Sequence, residues 1–121
     1  MIIYENVVRE LGSKVSSFFD DNIIILFCNN VPETLREFCY IVDLVNLDED
    51  IIEGQLFKVD DFEFKIKHVG SLVKKNLNDL GHITLARYKP NCEYLPGTLY
   101  LEDFKIPDIK IGSKISIFID D

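Results

Sequence analysis

The chain has 121 residues, 47% of them hydrophobic, and a formal net charge of −8, which fits one acidic domain over residues 1–121. The acidic balance argues against a nucleic-acid binder, because few cations are available to neutralise phosphates. The longest apolar runs, such as Ile23–Cys28, are far too short to span a bilayer. We therefore do not expect the protein to be membrane-embedded.

The first part of the chain predicts three strands. They are Ile2–Leu11, Ile23–Cys28 and residues 39–45. Along the first strand, Ile3, Val7 and Leu11 share one phase, and Gly12-Ser13 ends it. The second strand is continuously apolar, which is typical of a strand covered on both faces.

Helical spacing is found between these strands. Residues 13–21 fit either a short helix or an irregular loop, because Val15, Phe18 and Phe19 have helical spacing. Residues 29–38 predict a turn and then one or two helical turns, with Pro32 suited to the first helical position. Residues 46–53 hold four acids, and we interpret them as a solvated loop rather than a cation site.

A hairpin is predicted next, with its turn at Asp60-Asp61. The strand after the turn, residues 62–68, has the clearest alternation in the chain, and it places His68 in phase with the apolar face. The period then changes at Gly70. Ser71 is the predicted cap of a helix that ends at Gly81.

The last part of the chain predicts three more strands. They are residues 82–88, Thr98–Leu101 and residues 114–119. The whole pattern is therefore seven or eight short strands with two short helices, and no internal repeat is recognisable. We predict a mainly β fold, a small closed or nearly closed β-barrel, because closure removes exposed strand edges.

The three cysteines, Cys28, Cys39 and Cys92, are odd in number and too widely spaced for a metal knuckle. The residues after Met1 lack the basic and long apolar segments of a secretory signal. Together these features predict a cytoplasmic protein with reduced thiols. Cys28 and Cys39 are expected in the core and Cys92 at the surface.

Candidate chemistry rests on the two histidines, because the sequence has no phosphate loop, nucleophile elbow or metal-ligand spacing, and no cofactor is expected. Histidine can act as a base or nucleophile near neutral pH. His82 follows Gly81 at the start of a strand, so it is either a structural histidine or a chemically used one at the barrel mouth. His68 has the same two alternatives.

Several pieces of the chain resemble the glucitol/sorbitol-specific IIA component family of the bacterial sugar phosphotransferase system. The pieces are GSLVKKNLNDLGHITL (residues 70–85), YLPGTLYL (residues 94–101), the early LGS turn, and the spacing F-x-x-x-x-P-x-x-L-x-x-F-C-Y-I over residues 27–41. The resemblance covers nearly the whole chain. It implies a small, mainly β barrel, in agreement with the strand pattern.

The resemblance also implies a function and partners. Members of this family are cytosolic phosphocarriers that take a phosphoryl group on a histidine from the general phosphocarrier protein. They pass it to a cysteine of the IIB part of a sorbitol permease. The implied partners are therefore that phosphocarrier protein and the IIB/IIC components.

At the family's phosphohistidine, directly after the C-[FY]-I motif, this chain has Val42, followed by Asp43. His82 matches the histidine of the family motif L-G-H-[VI], and His68 matches no family histidine. Two alternatives follow. The chain is a phosphocarrier that uses His82 or an altered site, or it is a catalytically degenerate binding or regulatory module. Whether it is an enzyme stays open at this point.

Overall fold

The computed structural model describes residues 1–119, which form a barrel of eight strands with three short helices. The strands are β1 (Ile2–Leu11), β2 (Ile23–Cys28), β3 (Tyr40–Val42), β4 (Leu56–Val59), β5 (Phe62–Val69), β6 (Ile83–Arg87), β7 (Thr98–Leu101) and β8 (Lys114–Phe118). The helices are a 3-10 helix (Val15–Asp21), α1 (Glu33–Arg36) and α2 (Val73–Leu80). The 3-10 helix is additional to the two helices predicted, and it settles the open assignment of residues 13–21.

The sheet closes on itself in the order β1-β3-β2-β6-β7-β5-β4-β8, so the predicted barrel is confirmed. The pairs β2–β3 and β6–β7 are parallel and the others are antiparallel. Within residues 1–119, closure gives every strand two neighbours, which leaves no sheet edge open to another chain.

The order of strands is symmetric. Exchanging β1 with β5, β2 with β6, β3 with β7 and β4 with β8 reproduces the same ring, with the same parallel and antiparallel pairs. The barrel therefore consists of a first half (residues 2–59) and a second half (residues 62–118), joined by the hairpin turn at Asp60-Asp61. This pseudo-twofold relation was not recognised in the sequence.

Register gives the equivalent residues of the two halves. Val8 pairs with Val42 in the first half, and Ile66 pairs with Leu101 in the second half. The offset is therefore 58 between β1 and β5 (66 minus 8) and 59 between β3 and β7 (101 minus 42). The same strand pairs carry the same bulge, immediately after Val8 and immediately after Ile66.

A glycine at the end of β1 and at the end of β5 serves the same purpose. The Gly12 N–H donates to the carbonyl of Cys39 (2.9 Å), and the Gly70 N–H donates to the carbonyl of Thr98 (3.0 Å). A Cβ at either glycine would lie 2.2–2.3 Å from a carbonyl oxygen of the facing loop, Glu37 for Gly12 and Pro96 for Gly70. No side chain fits so close an approach, which explains the glycines.

The helices that follow these glycines also end alike. Two left-handed residues end these helices, Asn22 after the 3-10 helix (φ 56°) and Gly81 after α2 (φ 61°). The backbone N–H of each donates to two carbonyl oxygens of its own helix. The prediction for Gly81 is confirmed. The prediction for Ser71 is wrong: Leu72 is the N-cap residue and α2 begins without a side-chain cap, because the chain enters the helix one residue later.

Bulges correct two predicted phases. In β1 the buried side chains are Tyr4 and Val8, whereas Ile3 and Val7 are only partly buried. The bulge after Val8 pairs Leu11 with Tyr40 of the core, so Leu11 does not share the phase of Val7, and it is exposed at the end of the strand. In β5 the shift after Ile66 turns His68 away from the core, so the prediction that His68 shares the apolar phase is wrong. Val69 packs against the main core instead.

The third predicted strand ends early. It was expected to run over residues 39–45, but β3 stops at Val42. At the next residue the backbone leaves the ladder, and the Asp43 N–H donates to the Asn6 side-chain oxygen (3.0 Å) instead of to a strand. We call the end of β3, with Val42 and the following residues Asp43 and Leu44, the Val42 rim.

Candidate functional site

Val42 ends β3 between two strands. Its register partners are Val8 on β1 and Cys28 on β2. The side chain is only 1% exposed and belongs to the main core of the barrel. It also borders a small pocket of about 160 Å³, which is lined by Cys28, Asn29, Asn30, Val42, Asp43 and Leu44.

The next residue, Asp43, is held by the side chains of Arg9 and Asn6. The Arg9 guanidinium binds both carboxylate oxygens, at 2.8 Å from Nη2 and 3.2 Å from Nε. The Asn6 amide donates to the Asp43 carbonyl (2.8 Å). The hydrogen bonds from Arg9 lower the pKa of the Asp43 carboxyl below its ordinary value, so this acid is ionised and paired.

His82 lies one residue after the left-handed Gly81 and is half-buried. Its ring stacks on the Phe27 ring at 4.6 Å between centroids, with 17° between the planes. Burial lowers the pKa of His82, which favours the neutral imidazole. Within residues 1–119, every buried side-chain nitrogen or oxygen has a hydrogen-bond partner. A ring nitrogen of His82 that makes no hydrogen bond is therefore exposed to solvent.

The structure does not bring His82 and Val42 together on one face. Phe27, the ring under His82, is the register partner of Ile41, and Cys28 is the partner of Val42. Because successive strand residues point to opposite faces, His82 lies on the side of Ile41, outside the barrel. There Phe27 and Ile41, with Cys28, Val31 and Cys39, form a small cluster that is separate from the main core, to which Val42 belongs.

His68, the other histidine, lies in a cluster of aromatic rings on the second half. It stacks on Tyr94 (4.3 Å between centroids) and is 5.8 Å from the ring of Tyr100. Its Nδ1 atom is 3.9 Å from a carboxylate oxygen of Glu53. With these contacts His68 packs against other aromatic rings. It lies on β5, which is not a neighbour of β3 or β6, so it contacts neither Val42 nor His82.

The thiols lie where the sequence places them. Cys28 and Cys39 are buried and Cys92 is exposed, and all three are free. The Cys39 thiol lies 3.3 Å from the Leu35 carbonyl, and burial raises its pKa, so it is an inert core thiol. Across residues 1–119, no cluster of three or more His, Cys, Asp or Glu side chains is arranged to hold a metal ion.

One polar site was missed by sequence reasoning. A pocket of about 670 Å³ opens at the far ends of β6 and β7, and we call it the basic pocket; it is lined by Asn22, Lys67, Arg87, Tyr88, Lys89, Pro90, Glu102 and Asp103. Its three cations come from β5, β6 and the loop after β6, so no local motif reveals it. Only the pairing of these strands brings them together.

Comparisons with known proteins agree with one another. Residues 3–116 match the model of the family described as PTS system glucitol/sorbitol-specific IIA component. The glucitol/sorbitol-specific EIIA components of Shigella flexneri and Escherichia coli K12 are each 29% identical over 112 residues, which is 93% of this chain and 91% of each relative. The crystal structure of a PTS system IIA component from Enterococcus faecalis V583 superimposes with a TM-score of 0.86 at 27% identity, over 96% of this chain and 100% of that one.

Proposed function

Since this chain belongs to the glucitol/sorbitol-specific IIA component family of the sugar phosphotransferase system, we propose that it is a IIA-type docking module. It binds the partners of a IIA protein without carrying a phosphoryl group at residue 42. Those partners are the general phosphocarrier protein and the IIB/IIC components of a sorbitol permease, which the module meets in the cytoplasm. In the part of the chain that the structure describes, every helix is too short or too polar to cross a bilayer.

The observation that carries the proposal is the environment of Val42. Phosphoryl relay needs a nucleophilic imidazole with access to the phosphoryl donor. Valine has no lone pair to attack phosphorus, and this side chain is 1% exposed and packed in the core. The family position of the phosphoacceptor therefore serves here as a core position.

The neighbours of Val42 support the same proposal. The Asp43 carboxylate already accepts hydrogen bonds from Arg9, which reduces its nucleophilicity. His82 lies beyond β2 and on the opposite face of the sheet, so it is not positioned to replace the missing imidazole at this site. A partner that docks over the β3 rim meets Leu44, which is 54% exposed, and the Arg9–Asp43 pair instead of a phosphoacceptor.

A second candidate function is phosphoryl relay through His82. Its support is a family position that matches and a lowered pKa, since a neutral imidazole is the nucleophilic form. In that mechanism a ring nitrogen of His82 attacks the phosphorus of the donor phosphohistidine. The P–N bond to the donor breaks as the new one forms, and the donor imidazole keeps the electron pair.

Incubation with phosphoenolpyruvate, the general enzymes of the system and labelled phosphate separates the two functions. The docking module predicts no acid-labile, base-stable label on the wild type. The His82→Gln variant is then identical to the wild type. Label on the wild type that disappears in His82→Gln would instead establish the relay.

A Val42→His variant tests whether the site is degenerate rather than unrelated. The pocket beside residue 42 gives a larger ring room to turn outward, so we expect this variant to accept label. Val42→Asn is the matched control, because it introduces polarity of similar size without the nucleophile. Label on Val42→Asn, or none on Val42→His while the variant stays folded and binds the phosphocarrier protein, contradicts the proposal.

A further inference from the structure

The basic pocket occupies the position in the second half that the Val42 rim occupies in the first. Arg87 pairs with Leu101 across β6 and β7, as Cys28 pairs with Val42 across β2 and β3. Lys67 lies at the bulge after Ile66, as Arg9 lies at the bulge after Val8. The pseudo-twofold axis therefore relates the family's acceptor site to a pocket with different chemistry.

Two of the three cations of the basic pocket are less exposed than its acids, while Lys89 is exposed. Lys67 and Arg87 are half-buried, whereas Glu102 and Asp103 are exposed. The Lys67 ammonium lies 5.6 Å from the centre of the Tyr88 ring, where the ring's electrons attract it. Two of the three cations are thus partly shielded from water, whereas both carboxylates are exposed to it.

Arg87 has a loose carboxylate partner. Its guanidinium is 3.5 Å from the Asp103 carboxylate, and the Asp103 side chain is 85% exposed. In the first half, by contrast, Arg9 and Asp43 are joined at 2.8 Å with both carboxylate oxygens engaged. A loose, exposed pair of this kind contributes little stability, so an incoming anion displaces it easily.

We propose that the basic pocket binds a phosphate monoester, with Asp103 as a competing anion that the ligand replaces. This site goes beyond the proposed function and does not depend on it. Arg87 would bind two phosphate oxygens with its planar fork, and the Lys67 and Lys89 ammonium groups would neutralise the remaining charge. The pocket volume of about 670 Å³ also leaves room for the ester group.

The net charge of the chain favours a small ligand over a macromolecule. At −8, the protein repels an acidic peptide or a nucleic acid over its whole length. A small dianion meets only the local charge of the pocket, because salt screens charges that lie more than about 10 Å away. The local positive charge within a negative protein therefore selects a compact phosphate compound.

Amide NMR spectra at about 0.1 M ionic strength, where charges beyond about 10 Å are screened, test the site, with inorganic phosphate and glycerol phosphate as separate probes. We expect saturable shifts confined to the pocket, with glycerol phosphate binding more tightly than inorganic phosphate. The Arg87→Gln/Lys89→Gln double variant should bind at least about tenfold more weakly. Asp103→Asn should bind about threefold more tightly, because it removes the competitor.

A second double variant, Lys58→Gln/Lys110→Gln, is the matched control. It removes the same charge at residues that do not line the pocket, and we expect its affinity to be unchanged. Equal weakening in both double variants, or shifts spread over the surface lysines, overturns the site. If Arg87→Gln/Lys89→Gln fails to fold, unchanged affinity in Asp103→Asn is enough to overturn it.

The choice of ligand has its own decisive outcomes. Inorganic phosphate that binds at least as tightly as glycerol phosphate would show that the free ion is the ligand, and the monoester assignment is then wrong. A poly-glutamate peptide that competes equally well would show a surface for acidic chains instead. Neither outcome bears on residue 42, so the failure of this proposal is distinguishable from failure of the docking module.

Discussion

At the end of β3 in the first half and of β7 in the second half, the chain places Val42 and Leu101 in equivalent positions, and both side chains lie in the core. Around them the halves differ. Beside Val42 are Cys28 and the tightly paired Arg9, whereas beside Leu101 is Arg87 with a loose partner. The interior is alike in the two halves, and the rims are not.

This difference separates what the fold needs from what function needs. Closure of the barrel depends on the shared features: the glycines after β1 and β5, the left-handed helix ends and the apolar inward faces. The exposed residues that follow these strand ends, such as Asp43 and Leu44 after β3, carry no such constraint, because their side chains meet solvent. Chemistry can therefore be lost at one rim, or arise at the other, without loss of the fold.

The substitutions with the largest expected effect on stability are at the two equivalent glycines, Gly12 and Gly70. We predict that Gly70→Ala and Gly12→Ala each lower the free energy of unfolding by about 3 kcal/mol or more, since the new Cβ meets a carbonyl oxygen at 2.2–2.3 Å. Gly97→Ala is the control, because its Cβ meets only a side-chain amide at 3.4 Å. Urea denaturation measures all three, and a small effect at one glycine alone would break the equivalence of the halves.

The next effect tests whether Val42 is a core residue like its counterpart. Truncation to alanine leaves a cavity at both sites, so we predict a loss of about 3 kcal/mol for Leu101→Ala and about 2 kcal/mol for Val42→Ala. Denaturant midpoints at constant m-value provide the measurement. A Val42→Ala variant as stable as the wild type contradicts the assignment of residue 42 to the core.

A third prediction concerns His82. Its equivalent in the first half is Ile23, because Cys28 and Arg87 are equivalent and the offset between β2 and β6 is therefore 59 (87 minus 28). Burial lowers the folded-state pKa of His82, so the unfolded state binds its proton more readily. The free energy of unfolding should therefore be highest above about pH 6.5 and fall as the pH drops through the folded-state pKa. NMR titration of the ring should give a pKa below about 6.5.

Removing the stacked ring sharpens this prediction. Phe27→Leu should raise the pKa of His82 towards its ordinary value, because the imidazole then gains water. The pH dependence of stability between about pH 6.5 and the folded-state pKa should shrink with it. An unchanged titration in Phe27→Leu would mean that some other contact, rather than this stack, lowers the pKa.

The smallest expected effect concerns Ser71. Its side chain does not cap α2, so Ser71→Ala should change the free energy of unfolding by less than about 0.5 kcal/mol. A capping serine would cost about 1 kcal/mol on the same substitution. Thermal or urea denaturation distinguishes these values, and the larger loss would restore the capping role that the sequence predicted.

Much of the fold was predictable from local patterns. The alternation after Asp60-Asp61 gives the hairpin, and Gly81 marks the end of α2, because each depends on neighbouring residues alone. The phase of His68 was wrong, and Leu11 does not share the phase of Ile3 and Val7, because a bulge reverses every side chain beyond it, and a bulge depends on the partner strand. The twofold relation was hidden because it is a property of strand order and register, and few amino acids are identical at equivalent positions of the two halves.

The candidate site divides in the same way. Val42 was located by resemblance, since a motif of neighbouring residues marks the position. Its burial, and the placement of His82 on the other face, required the register of β2 between β3 and β6. The basic pocket escaped notice altogether, because Lys67 and Arg87 lie on strands that are separated by β7 in the ring and by α2 in the chain.

The most direct test of the central claim is the intact mass of the wild-type protein after incubation with phosphoenolpyruvate, the general enzymes and the phosphocarrier protein. A protein in which residue 42 is a core position and His82 a packing residue keeps its unmodified mass, while Val42→His gains one phosphoryl group under the same conditions. Addition of one phosphoryl group to the wild type, at a bond that acid cleaves and base does not, would contradict the claim.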